Sequence, residues 1–151
     1  MEHPNPKIVI IAGSRSDEPL VQEGMGILDR VGVPYEVQYL SAHRDPERLR
    51  AYVQTLEERG VQVVIAVAGL AAHLPGVVAS MTRLPVLGVP VEAGPLRGLD
   101  ALLSIVQMPR GVPVGTLAIG KHGMINAVLL ALRILALQEP ELWDRLSQGG
   151  S

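Results

Sequence analysis

The 151-residue chain contains no cysteine and no phenylalanine, and its aromatic residues are three tyrosines and one tryptophan. Each shortage excludes something. Without cysteine there is no disulfide, no thiolate nucleophile and no sulfur-ligated metal. With so few rings, the chain lacks the stacking platforms that hold single-stranded nucleic acid. Thirteen basic residues against fifteen acidic ones leave no basic excess to follow a phosphate backbone. Long apolar runs are missing too. The most hydrophobic stretch, Met124 to Leu137, is interrupted by Asn126 and Arg133. It is shorter than the roughly 20 apolar residues of a membrane span. The start, Met1-Glu2-His3-Pro4-Asn5-Pro6, is too short and polar for a secretory signal. The expectation is a cytoplasmic protein with one domain, 1–151, and flexible tails at 1–6 and 148–151.

What remains is a core of Val, Leu, Ile and Ala, punctuated by 16 glycines and 12 prolines. Lys7 to Ala12 is a continuous β-branched run, the signature of a strand buried on both faces. Tyr35 to Leu40 alternates and reads as a second strand. Val61 to Ala68, Pro85 to Pro90 and Val114 to Ile119 read as the third, fourth and fifth. Helical spacing fills the intervals. Leu20, Gly24, Ile27, Leu28 and Val31 form one stripe, with Ser16 or Asp17 as cap and Gly32 just past the end. Asp45 caps a second helix with Pro46 at its first position, running to Gly60. Short helices are expected from about Pro75 to Met81 and from Leu99 to Val106. Gly120 to Gly123 reads as a turn, Met124 to Leu137 as a long helix, and Pro140 as the start of a last one. Strands alternating with helices imply an α/β three-layer sandwich. A parallel five-stranded sheet in flavodoxin-like order is the simplest topology. The Met124–Leu137 helix is apolar nearly all round, so it needs cover on every side. A partner subunit supplies that cover in one reading, making the protein a homo-oligomer. The C-terminal helix of the same chain supplies it in the other.

Polar groups gather at the carboxyl ends of the first three strands, where open α/β sheets bind ligands. Gly13-Ser14-Arg15-Ser16-Asp17 joins a strand to a helix start and suits an anion, with Asp17 fitted to ribose hydroxyls. A capped helix with a glycine turn accounts for the same residues. In Ser41-Ala42-His43-Arg44, Arg44 can take a phosphate bidentately and His43 can move a proton near neutral pH. The third loop, Gly69 to Gly76, can offer backbone N–H groups to a carboxylate. Its His73 is read as a cap or packing residue at the start of the following helix. No His-x-x-x-His pair or acidic cluster has metal-ligand spacing, and there is no Gly-x-Ser-x-Gly elbow.

In order along the chain stand Gly13-Ser14-Arg15-Ser16-Asp17, Ser41-Ala42-His43-Arg44, Ala71-Ala72-His73-Leu74-Pro75-Gly76, Pro85-Val86-Leu87-Gly88-Val89-Pro90-Val91 and Ser104-Ile105-Val106-Gln107-Met108-Pro109-Arg110-Gly111. This ordered set, spanning Lys7 to Leu146, resembles the N5-carboxyaminoimidazole ribonucleotide mutases of bacterial purine biosynthesis. The resemblance implies a flavodoxin-like fold, a homo-octamer, and conversion of N5-carboxyaminoimidazole ribonucleotide to 4-carboxy-5-aminoimidazole ribonucleotide. It implies no metal or organic cofactor, and a functional link to the ATP-dependent carboxylating enzyme that makes the substrate. By position, His43 is the expected acid/base. Ser14, Ser16, Ser41 and Arg44 are expected to hold phosphate and neighbouring groups, Asp17 the ribose, and the Gly69 loop the migrating carboxylate or carbon dioxide. Related animal-type enzymes carboxylate aminoimidazole ribonucleotide directly and typically read Ser-Ala-His-Lys, then Ala-Gly-Arg-Ser-Asn. Arg44 and Ala71-Ala72-His73 favour the mutases instead. Leu70 departs from their pattern, which commonly has two glycines where this chain has Gly69-Leu70. Direct carboxylation is the alternative activity, and a flavodoxin-like nucleotide-binding module the non-enzymatic one.

Overall fold

The computed structural model describes residues 4–149. Five parallel strands form one sheet: β1 (Ile8–Ala12), β2 (Tyr35–Tyr39), β3 (Val63–Gly69), β4 (Val86–Val91) and β5 (Gly115–Thr116). Their order is β2-β1-β3-β4-β5, the flavodoxin-like arrangement expected from the alternation of elements. The helices are α1 (Glu18–Val31), α2 (Pro46–Val53), α3 (Leu74–Met81), α4 (Leu99–Val106), α5 (Lys121–Ala136) and α6 (Glu141–Gly149).

Strand side chains point alternately to the two faces of the sheet, so each strand feeds two cores. Ile8, Ile10 and Ala12 join Val63, Ile65 and Val67 beneath α1, α5 and α6. Val9 and Ile11 join Val64, Ala66 and Ala68 beneath α2, α3 and α4. All five β1 residues are fully buried, as a continuous apolar run requires.

Several boundaries differ from expectation for identifiable reasons. The second helix stops at Val53, and residues up to Gly60 form tight turns. Thr55 donates its hydroxyl to the Tyr52 carbonyl at 2.7 Å, and the Thr55 and Leu56 amides bond three residues back rather than four. Strand β5 is two residues, not six. The Leu117 N–H still donates to the Gly88 carbonyl. The answering bond would need an N–H on Pro90, which proline lacks, and the ladder frays there. The expected turn at 120–123 is Gly120 alone; α5 begins at Lys121 and takes in His122 and Gly123. The C-terminal tail is shorter than expected, because α6 continues through Gly149. At the other end Pro6 is already buried. The rest of the expected tails, 1–3 and 150–151, lies outside the described residues.

Helix α5 is covered chiefly by its own chain. Met124, Val128, Leu132 and Leu135 are fully buried in the core shared with α1 and α6. Burial beneath α6 therefore meets most of the need that suggested a partner subunit. The apolar stripe left without cover lies on α4 instead, where Leu99, Leu103 and Val106 are about half exposed.

Candidate active site

Strand β1 lies between β2 and β3, so the loops that follow these three strands converge. They enclose an open pocket of about 410 Å³. The first loop contributes Gly13, Ser14, Ser16 and Asp17; the second Ser41 to Arg44; the third Gly69 to His73. Ala93, from the loop after β4, closes one side. The seven site residues expected from sequence thus face one cavity. It opens at the carboxyl ends of the strands, where strand order reverses between β1 and β3.

The first loop is held by its own hydroxyls. Ser14 Oγ accepts from the Ser16 amide at 3.2 Å and lies 2.8 Å from Ser16 Oγ. Residues Arg15–Asp17 form one 3-10 turn capped by Ser14, and α1 follows directly. Neither Ser16 nor Asp17 caps α1 through its side chain, contrary to expectation; Ser14 does the capping one turn earlier. Asp17 is therefore free of that duty. It is 8% exposed, and burial pushes its carboxyl pKa up, opposed by a hydrogen bond from the Ser14 backbone. Arg15 turns away from the pocket, its guanidinium 4.8 Å above the Tyr39 ring.

In the second loop Ser41 Oγ accepts from the amides of both His43 and Arg44, at 3.2 and 3.1 Å. The Ser41 amide in turn donates to Asp45 Oδ2 at 3.3 Å. Asp45 sits at the N-cap of α2, yet its carboxylate makes no capping hydrogen bond; it pairs with Arg48 at 3.8 Å and braces the loop before the helix. The effect is to fix the backbone that carries His43. Ser41 keeps its own O–H to offer a ligand. Arg44 is exposed, and its guanidinium has no carboxylate partner among the described residues.

His73 corrects the sequence reading. It occupies the N-cap position of α3 but makes no capping bond. Its ring meets that of His43 edge-on, with centroids 4.7 Å apart and His43 Nε2 2.6 Å from His73 Nδ1. At that separation one ring must donate and the other accept, so a single hydrogen lies between them. The two imidazoles belong to loops on strands that flank β1, and sequence spacing could not reveal that they meet. The signal available was position: both follow a strand end by a few residues. Ala93 carried no signal, since nothing marks an alanine as a pocket wall. Among the described residues no three His, Asp or Glu side chains cluster in a way that could hold a metal ion.

The family model described as AIR carboxylase matches residues 7–150. A Pyrococcus horikoshii protein named N5-carboxyaminoimidazole ribonucleotide mutase is 54% identical over 97% of this chain and 81% of its own length. An Escherichia coli K12 protein of the same name is 53% identical over 93% of this chain and 83% of its own. The crystal structure of Treponema denticola PurE superposes with a TM-score of 0.84 at 26% identity, covering 95% of this chain and 88% of that one. Together the site and these likenesses identify the chain as a member of the AIR carboxylase family.

Proposed function

We propose that this protein is an N5-carboxyaminoimidazole ribonucleotide mutase, moving a carboxyl group from the exocyclic nitrogen of the substrate to ring carbon C4. The observation that carries the reading is the His43–His73 pair, sharing one pocket with the hydroxyls of Ser14, Ser16 and Ser41. Relatives named for this activity at 53–54% identity support the choice of substrate.

The N-carboxylate is a carbamate. A proton delivered to its nitrogen lets the N–C bond break, and neutral carbon dioxide is released beside the ring. The electron-rich C4 attacks it, and removal of the C4 proton restores aromaticity. His43 delivers the first proton and recovers the last. The pair loses one positive charge when His43 gives up its proton and regains it when the C4 proton returns, with the His73 ring hydrogen-bonded to that of His43. Arg44, Ser14 and Ser16 hold the phosphate, with the Ser41 hydroxyl beside them. Asp17 takes the ribose hydroxyls. The Gly69 loop confines the carbon dioxide, a proximity effect.

The working unit is a homo-oligomer, and we favour an octamer. Its support here is the exposed stripe of Leu96, Leu99, Leu103 and Val106. The enzyme works in the cytoplasm, where phosphorylated purine precursors are made, in functional partnership with the ATP-dependent enzyme that forms its unstable carbamate substrate.

The test is turnover of N5-carboxyaminoimidazole ribonucleotide without added bicarbonate, by wild type and His43→Asn. Wild type should convert it. The variant should lose about 100- to 10,000-fold in kcat, the usual contribution of a positioned proton donor, with substrate binding largely kept. Reaction of aminoimidazole ribonucleotide plus bicarbonate alone would make the protein a direct carboxylase. A fully active His43→Asn would remove the acid/base role.

A further inference from the structure

Four of the five residues from Gly13 to Asp17 line the pocket; Arg15 does not. Its guanidinium lies over the Tyr39 ring instead, 4.8 Å from the centroid. A cation within about 6 Å of an aromatic face is attracted by the negative face of the ring. Arginine suits such a contact, because its flat, weakly hydrated guanidinium stacks on rings.

The place of this ring gives the contact its meaning. Tyr39 is the last residue of β2, and Ser41 of the second loop follows two residues on. Its register partner on β1 is Ala12, directly before the first loop. The two loops therefore leave the sheet side by side, and Arg15 joins the first to the root of the second. The hydrogen bonds of the first loop run elsewhere. Ser14 Oγ with Ser16, and the Asp17 amide to the Ser14 carbonyl at 3.0 Å, tie the turn to itself. The Gly13 amide donates to the Val67 carbonyl at 3.0 Å and ties the loop's entry to β3, on the opposite side of β1 from β2. The link toward β2 is Arg15 over Tyr39. Tyr39 is partly buried and packed against the core shared with α1, so the ring is a fixed surface. Burial pushes its phenol pKa up, with the Glu18 and Asp17 carboxylates adding to the effect and the Arg15 guanidinium opposing it. The charged groups of the loop and of the α1 start thus lie close enough to act on this one ring.

We propose that the Arg15–Tyr39 stack is a positioning clamp, which fixes the first loop against the second so that the Ser14 and Ser16 hydroxyls meet the substrate phosphate together with Arg44. The proposal rests on the mutase reading above and extends it to a pair that touches no substrate. A preset spacing between the loops lowers the ordering cost of binding. The phosphate takes no part in the carboxyl transfer and is held alike before and during it. The clamp therefore acts on affinity and not on the chemical step.

The experiment measures kcat and KM for N5-carboxyaminoimidazole ribonucleotide, beside thermal melts, in wild type, Arg15→Met, Tyr39→Leu, the double variant and Tyr39→Phe. Arg15→Met removes the cation and keeps most of the side chain's length. Tyr39→Leu removes the ring and keeps apolar bulk on the core. Each should raise KM about fivefold, the scale of one exposed cation–π contact, with kcat nearly unchanged. The double variant should bind no worse than the weaker single one, since residues that act only through each other are not additive. Tyr39→Phe keeps the ring face and should match wild type. Arg15 is exposed, so Arg15→Met should melt like wild type and the test survives a poorly folded Tyr39→Leu. A wild-type KM in Arg15→Met overturns the proposal. So does a raised KM in Arg15→Met beside a normal one in Tyr39→Leu, because Arg15 would then act on the phosphate by its charge alone. Additive losses in the double variant, or losses in kcat rather than KM, overturn it as well. Wild type that fails to convert the substrate overturns the mutase reading itself, and the proposal with it.

Discussion

Asp17 shows what one residue contributes and costs. Its buried carboxyl has a folded-state pKa above its ordinary value of 3.8. Between the two values the folded chain binds more protons than the unfolded one, so stability falls as pH rises through the folded pKa. At neutral pH the charged carboxylate is therefore a net liability to the empty protein. Asp17→Asn should melt higher than wild type at pH 7, with the gap narrowing as the pH approaches 4. The same variant should bind substrate worse. A lost hydrogen bond to a charged group is worth about 1.5–3 kcal/mol, so KM should rise at least about tenfold. Thermal melts across pH, run beside steady-state kinetics, check both halves. A variant neither more stable nor weaker in binding would leave Asp17 without the ribose role. In sequence Asp45 read as a helix cap and Ser41 as a candidate phosphate ligand. Their actual service, bracing the His43 backbone, depends on hydrogen bonds that spacing does not specify.

At the scale of elements, close approach of backbones decides what composition alone cannot. Helices α1 and α5 meet at Gly24, where an added Cβ would lie 2.7 Å from Met124 Cε and 2.8 Å from Val128 Cγ2. Methionine can move aside, but β-branched valine is stiff. Gly24→Ala should cost about 1–3 kcal/mol by overpacking, measured by denaturant unfolding. An equally stable Gly24→Ala would mean that the two helices separate freely. The strand β2 shows a different kind of surprise. Its Glu36 is a charged residue in the strand, and it is 1% exposed. It accepts from the Tyr52 hydroxyl and from both terminal nitrogens of Arg59, at 2.9 and 2.6 Å for the latter. Burial and the Glu36 carboxylate together push the Tyr52 phenol well above its usual pKa. The turns after α2 bring Arg59 back to this carboxylate.

For the molecule as a whole, three layers put every candidate site residue at one end of the sheet and leave one apolar stripe outside. Leu99, Leu103 and Val106 recur at i, i+4 and i+7, a single face of α4. A monomer gains nothing by exposing this face, and in the proposed homo-oligomer a second copy covers it. Leu103→Glu should lower the assembly mass measured by light scattering, because a buried unpaired charge opposes association. An unchanged mass would place the interface elsewhere.

The succession of strands and helices was readable along the chain, because alternation, β-branched runs and Gly/Pro punctuation are local properties that burial imposes on sequence. So were His43, Arg44 and the first loop, since polar residues stand out where an apolar strand ends. The covering of α5 by α6 was one of two readings left open, and the meeting of His43 and His73 and the brevity of β5 opposite Pro90 were not readable. Each depends on which strands become neighbours, and that is settled by packing across the sheet rather than by any interval in the chain. Only the folded arrangement turns His73 from a helix-start residue into the partner of His43, because the two loops become adjacent when β1 enters between β2 and β3.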